Sequence, residues 1–512
     1  MPAVFAQQPT PDGVEIERKF DVQESAELPS FAGLPGVDRV DDPVVFDLDA
    51  VYFDTEDLVL AASRIALRRR SGGEDAGWHL KTLVSADARQ ELHEPLGTDP
   101  EAVPPRFLRL VRVHVRDRVL VPAARVRTRR IVHRLLDEHG AVLAEVCDDH
   151  VRADRLVPEV MSHSWREWEV ELVDGDRRLL DAAQSLLVSS GVPLSGYASK
   201  LGRALGDAPQ VPVAAARAHP RGTAGGVLLA TVEATVRTLW TEDARVRDDE
   251  PDAVHQFRVA LRRLRSVVRT FRPLIDRDVA DHLRRELKWM AGTLGAARDL
   301  QVLRERLADL IAAEAPELVL GPIASRIDEQ FSAEYQSART AGLASLDDAR
   351  YFRLLDDLDS FVAEAPLRGP SSKQARHIVP VLIDKEWERL DALVKLSESA
   401  GPGTPRDVAL HEVRKGAKAL RYAADSAVPV LHEAALRLAV AAEEIQEILG
   451  DHQDSVVARN LLLRLAAEAH ARGEDDFSYG RLHASQQRVA EQSEKRFRQA
   501  WKRFPAAPGQ PT

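Results

Sequence analysis

Near residue 206 the spacing of apolar residues changes from two to between three and four, and that change requires two separately folded units of opposite architecture. Before it, short alternating segments are broken by turn formers. They are VEIERKF, AVYFDT, IALRRR, GWHLKTL, ARQELHE, RVRTRRIVHRLL, AVLAEVCD and WREWEVELV, with SGGEDAG, DEHG and VDGD between them. A period of two marks a strand with one face in a core, and Gly-bearing polar clusters mark hairpins. One helix is expected at about 176–190, ending at Gly191. Residues 207–222 are rich in Pro, Gly and Ala without periodicity and read as a linker. Beyond them VLLATVEATVRTLW, VHQFRVALRRLRSVVRTF, LRRELKWMAGTLG and LRLAVAAEEIQEILG follow helical spacing. A chain of 512 residues needs more than one core in any case. The expected fold is multidomain α+β, with strands over 12–206 and helices over 223–508.

Alternate side chains of a strand share a face. Glu15, Glu17 and Lys19 therefore point one way, and Ile16 and Phe20 the other. Glu167, Glu169 and Glu171 lie opposite Trp168, Val170 and Leu172. Arg68 with Arg70, His79 with Lys81, Arg89 with Glu91 and His93, and Arg127 with Arg129 repeat the pattern. Such strands suit either an open sheet with a solvated side or a closed barrel whose charged faces meet in a wet lumen. Acids concentrate on the first strand and on WREWEVEL, and bases on the strands between. That segregation favours the lumen, because a buried ion is tolerated only when opposite charge faces it. Paired carboxylates opposite Arg and Lys suit a divalent cation, Mg²⁺ or Mn²⁺, bound together with phosphate oxygens.

The segments also form an ordered series. VEIERKF is followed by YFDT (52–55), ALRRR (66–70), WHLKT (78–82), ARQEL (88–92), RVRTRR (125–130), EVCDD (145–149), WEVELVDGD (168–176) and ASKLGRAL (198–205). This series resembles the CYTH superfamily, the triphosphate tunnel metalloenzymes, whose E-x-E-x-K signature VEIERKF carries. The resemblance implies an antiparallel eight-stranded β-barrel, a tunnel that binds triphosphate with one or two Mg or Mn ions. It implies Glu15, Glu17, Glu169 and Glu171 as metal ligands, with Asp148 beside them. Lys19, Arg68, Arg70, Lys81, Arg127 and Lys200 are the implied triphosphate contacts, with Arg89, Glu91, Glu145 and Arg203 in the same lining. Glu15, Glu17, Lys19, Glu169 and Glu171 would carry the catalysis. Asp148 is out of phase with Glu145, so a regular strand turns only one of them inward. The expected reaction is attack of a metal-activated water on a terminal phosphorus of inorganic triphosphate. The superfamily also includes adenylyl cyclases and thiamine-triphosphate hydrolases, which stand as alternatives.

The second half contains a duplication. VHQFRVALRRLR (254–265) matches LHEVRKGAKALR (410–421) at an offset of 156 residues, and LGAARD (294–299) matches LGDHQD (449–454) at 155. In the first copy Phe257, Leu261, Leu264, Val268 and Phe271 form a core seam, and His255, Arg258, Arg262, Arg265 and Arg269 an adjacent basic one. His411, Arg414, Lys418 and Arg421 repeat that seam. Like charges at i,i+4 repel, so an unmixed seam kept in both copies points to an anionic partner. The net charge of −11 makes such a seam more telling. These motifs resemble the CHAD domain, a helical module of two duplicated four-helix bundles associated with inorganic polyphosphate. The resemblance adds Arg298, Lys415 and His452 as polyphosphate contacts, Gln453 standing where LGAARD has arginine.

No run approaches 18 apolar residues, so no spanning helix is expected. MPAVFAQQPTP lacks the basic and apolar regions of a secretory leader, and the single cysteine, Cys147, allows no internal disulfide. A reducing cytoplasm fits, with polyphosphate granules as a further expected location. Aromatic residues make up 5% and none interleaves the basic seam, which argues against a nucleic-acid partner. A non-catalytic polyphosphate scaffold or granule-associated protein is the alternative from a different class. The oligomeric state is left open.

Overall fold

The computed structural model describes residues 12–85, 88–99, 101–206 and 222–507, less the side chains of 12–14, 83–85 and 88–89. The expected linker therefore falls, but for Gly222, outside the described residues. The chain divides at residue 213 into two compact units.

The first unit contains strands β1 (Asp12–Val22), β2 (Arg39–Val40), β3 (Val44–Asp54), β4 (Ile65–Ser71), β5 (Gly77–Ser85), β6 (Ala88–Glu94), β7 (Val121–Leu136), β8 (Val142–Arg155) and β9 (Met161–Leu172). Four helices accompany them: α1 (Val59–Ala62), α2 (Pro105–Val115), α3 (Arg177–Ser189) and α4 (Lys200–Leu205). The strands pair antiparallel in the order β7-β3-β4-β5-β6-β1-β9-β8, and β8 pairs back onto β7 from Ala124 to Leu136. Among the described residues eight strands thus close a ring, and the two-residue β2 adds to the side of β7. The apolar faces turn outward and are covered. Phe20, Val146, Trp168 and Val170 pack under Leu179, Leu180, Ala183 and Leu187 of α3. Leu67, Trp78 and Leu80 pack under Phe107, Val111 and Val115 of α2. The helix expected near 176–190 is α3, capped by Asp176, which accepts from the N–H groups of Arg178 and Leu179.

The second unit is helical: α5 (Ala224–Arg247), α6 (Ala253–Thr270), α7 (Arg277–Thr293), α8 (Gly295–Ala312), α9 (Ile323–Ser345), α10 (Ala349–Glu364), α11 (Ala375–Ser399), α12 (Thr404–Ala471) and α13 (Phe477–Lys502). Helix α12 is broken at His432, where φ is 46°, three residues after Pro429. The duplication is visible in the order of elements. Helices α5, α6, α7 with α8, and α9 correspond to α11, the first part of α12, its second part, and α13. Helix α10 joins the two sets. The LGAARD motif sits at the joint of α7 and α8, whereas LGDHQD lies within the continuous second part of α12.

Candidate functional sites: a charged tunnel and a basic helical face

Residues directly opposed in an antiparallel pair project to one side of the sheet, so register reads out the tunnel lining. Glu17 opposes Glu171 and Lys19 opposes Glu169. Glu169 in turn opposes Cys147, and Glu167 opposes Asp149. Asp149 opposes Arg130 on the other side of β8. Across the ring Tyr52 opposes Arg68, Arg68 opposes His79, and Lys81 opposes Glu91. Acids from β1, β8 and β9 therefore share an interior with cations from β4, β5 and β7.

Asp149, Glu167 and Glu169 are buried, and each offers a carboxylate oxygen within 4.8 Å of the others. Lys200, the first residue of α4, reaches all three, at 2.7 Å from Asp149, 2.8 Å from Glu167 and 2.6 Å from Glu169. The short helix is fixed by its own contacts. Ser199 accepts from the N–H of Gly202 at 3.0 Å, and Leu201, Ala204 and Leu205 pack on inward-facing Ala50, Tyr52, Val126, Val151 and Ala153. Arg130 donates to both oxygens of Asp149, at 2.8 and 2.7 Å, and to Glu169 at 2.5 Å. Lys19 donates to Glu17 at 2.7 Å and also to Glu169.

Burial by itself would push Asp149, Glu169, Glu17, Glu171 and Glu15 up, and the neighbouring cations decide the outcome. Glu169 is held well below the usual range because Lys19, Lys200 and Arg130 outweigh its desolvation. Asp149 and Glu17 are lowered in the same way, by Arg130 and Lys200 in one case and by Lys19 in the other. At Glu171 burial prevails and its carboxyl is raised. Glu15 is pushed up to about 8 by burial, with Lys81 opposing and a hydrogen bond to Glu91 adding to the rise. It lies 2.5 Å from Lys81, on the β5–β6 side and apart from the acidic trio. Three hard carboxylates in one pocket suit Mg²⁺ or Mn²⁺, whose preferred donors are oxygens.

The cationic arc is also in place. Arg68 donates to Tyr52 Oη and to Glu91, both at 3.4 Å. Lys81 bridges Glu15 and Glu91, and Arg70 pairs with Asp75. Burial, then the charges of Arg68 and Arg130, holds the Arg70 guanidinium below its ordinary range. Arg203 donates to Asp21 at 2.7 Å and lies 4.9 Å over the Trp165 ring. Glu145 opposes Glu171 and accepts from Arg134 at 2.9 Å. The side chain of Arg89 lies outside the described residues.

Two expected site residues do not face the lumen. Asp148 opposes Trp168 on the outer face and is bonded to Arg166 at 2.9 and 2.7 Å. The inward position belongs to Asp149, one residue later, as the two-residue period of β8 requires. Arg127 opposes Asp49 and Arg152 on the outer wall and donates to Asp154 at 2.9 Å. The β7 arginine inside the tunnel is Arg130. Asp149 was recoverable from the phase of Glu145 in EVCDD. Arg130 was not, since the inward residues Val126, Thr128 and Arg130 carry no common chemistry.

In the helical unit, Arg258 and Arg262 of α6 converge with Arg414, Lys418 and Arg421 of α12. Lys418 is pushed down to about 7 by burial and then by Arg262, Arg414, Arg258 and Arg421. His255 sits beside Arg262, Arg298 and Arg258, and His411 beside Lys415 and Arg414. Glycine at 295 makes room for Arg258, whereas Gly450 is not needed to make room for Arg414. A Cβ on Gly295 would meet the Arg258 guanidinium at 2.8 Å, and one on Gly450 would stand 3.7 Å from that of Arg414. Asp299 accepts from Arg258 at 2.9 Å, and Lys415 donates to Glu412 at 2.8 Å. Arg265 and Arg269 lie farther along α6 beside Arg284, a residue no motif singled out. Arg269 donates to Glu386 at 2.7 Å. His452 is a correction to the expected set. It is 1% exposed and faces Asp407 at 3.4 Å and Glu494 at 4.0 Å, with Arg459 on the same Asp407 at 3.1 Å. In the first copy its place is taken by Ala297.

The CYTH domain family matches residues 13–196, and the CHAD domain family matches residues 230–463. The chain is also 39% identical to two uncharacterized proteins of Mycobacterium tuberculosis, from different strains, across 96% of this chain and 97% of each of theirs. The chain is a CYTH–CHAD protein. Among solved structures, PptA from Streptomyces chartreusis covers 55% of this CYTH–CHAD chain and 99% of its own, with a TM-score of 0.47 and 22% identity. The CHAD domain of the plant Ricinus communis covers 56% and 93%, with a TM-score of 0.45 and 23% identity. CYTH domains are metal-dependent and include triphosphatases and cyclases, so the tunnel belongs to a phosphoryl-transfer or hydrolase class. CHAD domains are associated with polyphosphate. No described helix is long and apolar enough to cross a membrane.

Proposed function

We propose that the tunnel of this CYTH–CHAD protein hydrolyses inorganic triphosphate, or a closely related triphosphate, with Mg²⁺ or Mn²⁺, and that the helical unit holds inorganic polyphosphate. The observation that carries this reading is the divided lining. Asp149, Glu167 and Glu169 gather in one buried pocket, while Arg68, Arg70, Lys81 and Arg130 enter the same lumen from other strands.

Asp149, Glu167 and Glu169 would hold the cation, with Glu17 and Glu171 beside them. Bound there, the ion supplies Lewis-acid polarisation of a phosphoryl oxygen and a more acidic water. The chain supplies the rest. Arg68 and Arg70 are buried close together, and a polyanion relieves the repulsion that burial concentrates between them. Their planar forks and the Lys81 ammonium fix phosphoryl oxygens. These groups are already desolvated and oriented, so charge growing on the transferring phosphoryl meets fixed donors. A lining charged on most strands suits a bare triphosphate better than a nucleoside. In the helical unit the two copies of the seam offer one chain of phosphates the same contacts twice, which favours a long polyanion and predicts co-localisation with polyphosphate granules.

The test is phosphate release from tripolyphosphate with Mg²⁺ or Mn²⁺. Glu17→Gln and Glu169→Gln should each lower kcat roughly 100-fold or more, the scale of losing one fixed electrostatic group. Combined Arg258→Glu, Arg262→Glu and Arg265→Glu should abolish salt-sensitive polyphosphate binding and leave tunnel turnover intact. Polyphosphate binding without turnover under either metal would leave a scaffold and refute the hydrolase.

A further inference from the structure

The three carboxylates of the cation pocket share a partner that already behaves as a cation there. Lys200 Nζ lies 2.7 Å from Asp149 Oδ2, 2.8 Å from Glu167 Oε1 and 2.6 Å from Glu169 Oε1. Of the three contacts only that to Glu169 has hydrogen-bond geometry, and Glu167 Oε1 accepts no hydrogen bond, so the ammonium holds Asp149 and Glu167 by charge. The other tunnel lysines are placed differently. Lys19 serves Glu17 and Glu169, and Lys81 serves Glu15 and Glu91.

We propose that Lys200 is a built-in counter-ion, which keeps the cation pocket assembled before a metal arrives and has to leave that pocket for the metal to enter. The inference rests on the metal-dependent reading of the tunnel. Without an internal cation, Asp149, Glu167 and Glu169 would hold three like charges in a buried pocket, and such a cluster is stable only when neutralised. Arg130 and Lys19 each serve part of it, and Lys200 alone among them touches all three members. A divalent ion held by these oxygens would take the place of the ammonium that lies within 2.8 Å of all three, so the two cations compete for one position.

The exchange requires no movement of the helix. Helix α4 is held by the Ser199 cap, by the packing of Leu201, Ala204 and Leu205, and by Arg155, which donates to the Leu205 carbonyl at 3.0 Å. None of these contacts involves the ammonium. The lysine stem carries four methylenes and can turn while its backbone stays. Displaced, the ammonium is free to meet phosphoryl oxygens in the same lumen. Lys200 then changes from counter-ion to substrate contact, coupling metal entry to completion of the anion site.

Ammonium-detected ¹H–¹⁵N spectra of the full chain with lysine-labelled nitrogen provide the first test. Metal-free protein should show a slowly exchanging ammonium signal that is absent from Lys200→Met, and Mg²⁺ alone should shift or erase it. The second test is calorimetric titration with Mn²⁺ alone. Lys200→Met should bind roughly tenfold tighter than wild type or more, while Arg127→Met, on the outer wall, should differ by less than about threefold. Metal-free Lys200→Met should also melt lower than wild type and recover more on adding Mn²⁺. If the wild-type signal persists unchanged at saturating Mg²⁺, or Lys200→Met binds Mn²⁺ no tighter, the counter-ion role is wrong and the metal-dependent tunnel survives. If wild type and variant both fail to bind Mg²⁺ or Mn²⁺, the metal reading itself falls and takes the counter-ion role with it.

Discussion

Replacing Arg130 and Arg127 one at a time, each by methionine, sets two arginines of one strand against each other. Arg130 is three-quarters or more shielded, with 18% side-chain exposure, and holds Asp149 through two bonds and Glu169 through a third. Breaking a buried ion pair from one side costs about 3–5 kcal/mol, since the surviving charge is left uncompensated. Lys200 and Lys19 remain beside the two carboxylates, so the lower end, about 3 kcal/mol, applies. For a unit of this size that lowers Tm by about 6–12 °C. Arg127 is 41% exposed and its bond to Asp154 is a surface pair, where losses are about 0–1 kcal/mol. Differential scanning calorimetry with tripolyphosphate kinetics on the same samples measures both effects. Arg130→Met should lose stability and most of kcat, and Arg127→Met should retain the KM and kcat of wild type. Equal loss of turnover in the two variants would refute the inside–outside assignment of β7.

Asp148→Asn should cost roughly 1–3 kcal/mol in chemical denaturation through its two bonds to Arg166, with Mn²⁺ affinity unchanged. Loss of metal binding equal to that of Asp149→Asn would contradict the outward placement. Polyphosphate affinity should fall as pH rises through about 7, because Lys418 is charged below that value and neutral above it. Lys418→Arg should flatten the profile. The same group makes a sign-definite contribution to folding. Its folded pKa lies below its ordinary value of 10.5, so the unfolded chain binds more protons between the two, and stability should rise with pH across that window. Gly295→Ala should weaken polyphosphate binding by displacing Arg258 without lowering Tm, whereas Gly450→Ala, with 3.7 Å to Arg414, should leave binding near wild type. Parallel losses in both glycine variants would show that close approach to the arginine is not the cause.

Much of the architecture was legible in local order. The switch of apolar spacing at residue 206 marks the two units, and Asp176 and Gly191 delimit α3. The charged faces of VEIERKF and WREWEVEL declared their interior by segregating acids from bases. The repeated seam of Arg258, Arg262, Arg414 and Lys418 carries the signature of an anionic partner in the sequence itself. Failures fall where both phases of a strand carry charge. EVCDD has acids at 145, 148 and 149, and RVRTRR has arginines at 125, 127, 129 and 130, so neither pattern announces its own inward face. His452 misled because a motif position does not fix the side of a helix on which acids wait.

Sequence determined which side chains share a face, since that depends only on the two-residue period of a strand and the 3.6-residue period of a helix. Which face became the interior was decided by ring closure, when β8 paired with β7 and placed Asp149 opposite Arg130. The cation pocket itself belongs to tertiary structure alone. Asp149 and Glu167 are neighbours only because β8 and β9 are in register, and Lys200 reaches them only because α4 packs against the inward-facing residues of β3, β7 and β8. Charges that far apart along the chain acquire a common function through the folded path between them, which no local pattern encodes.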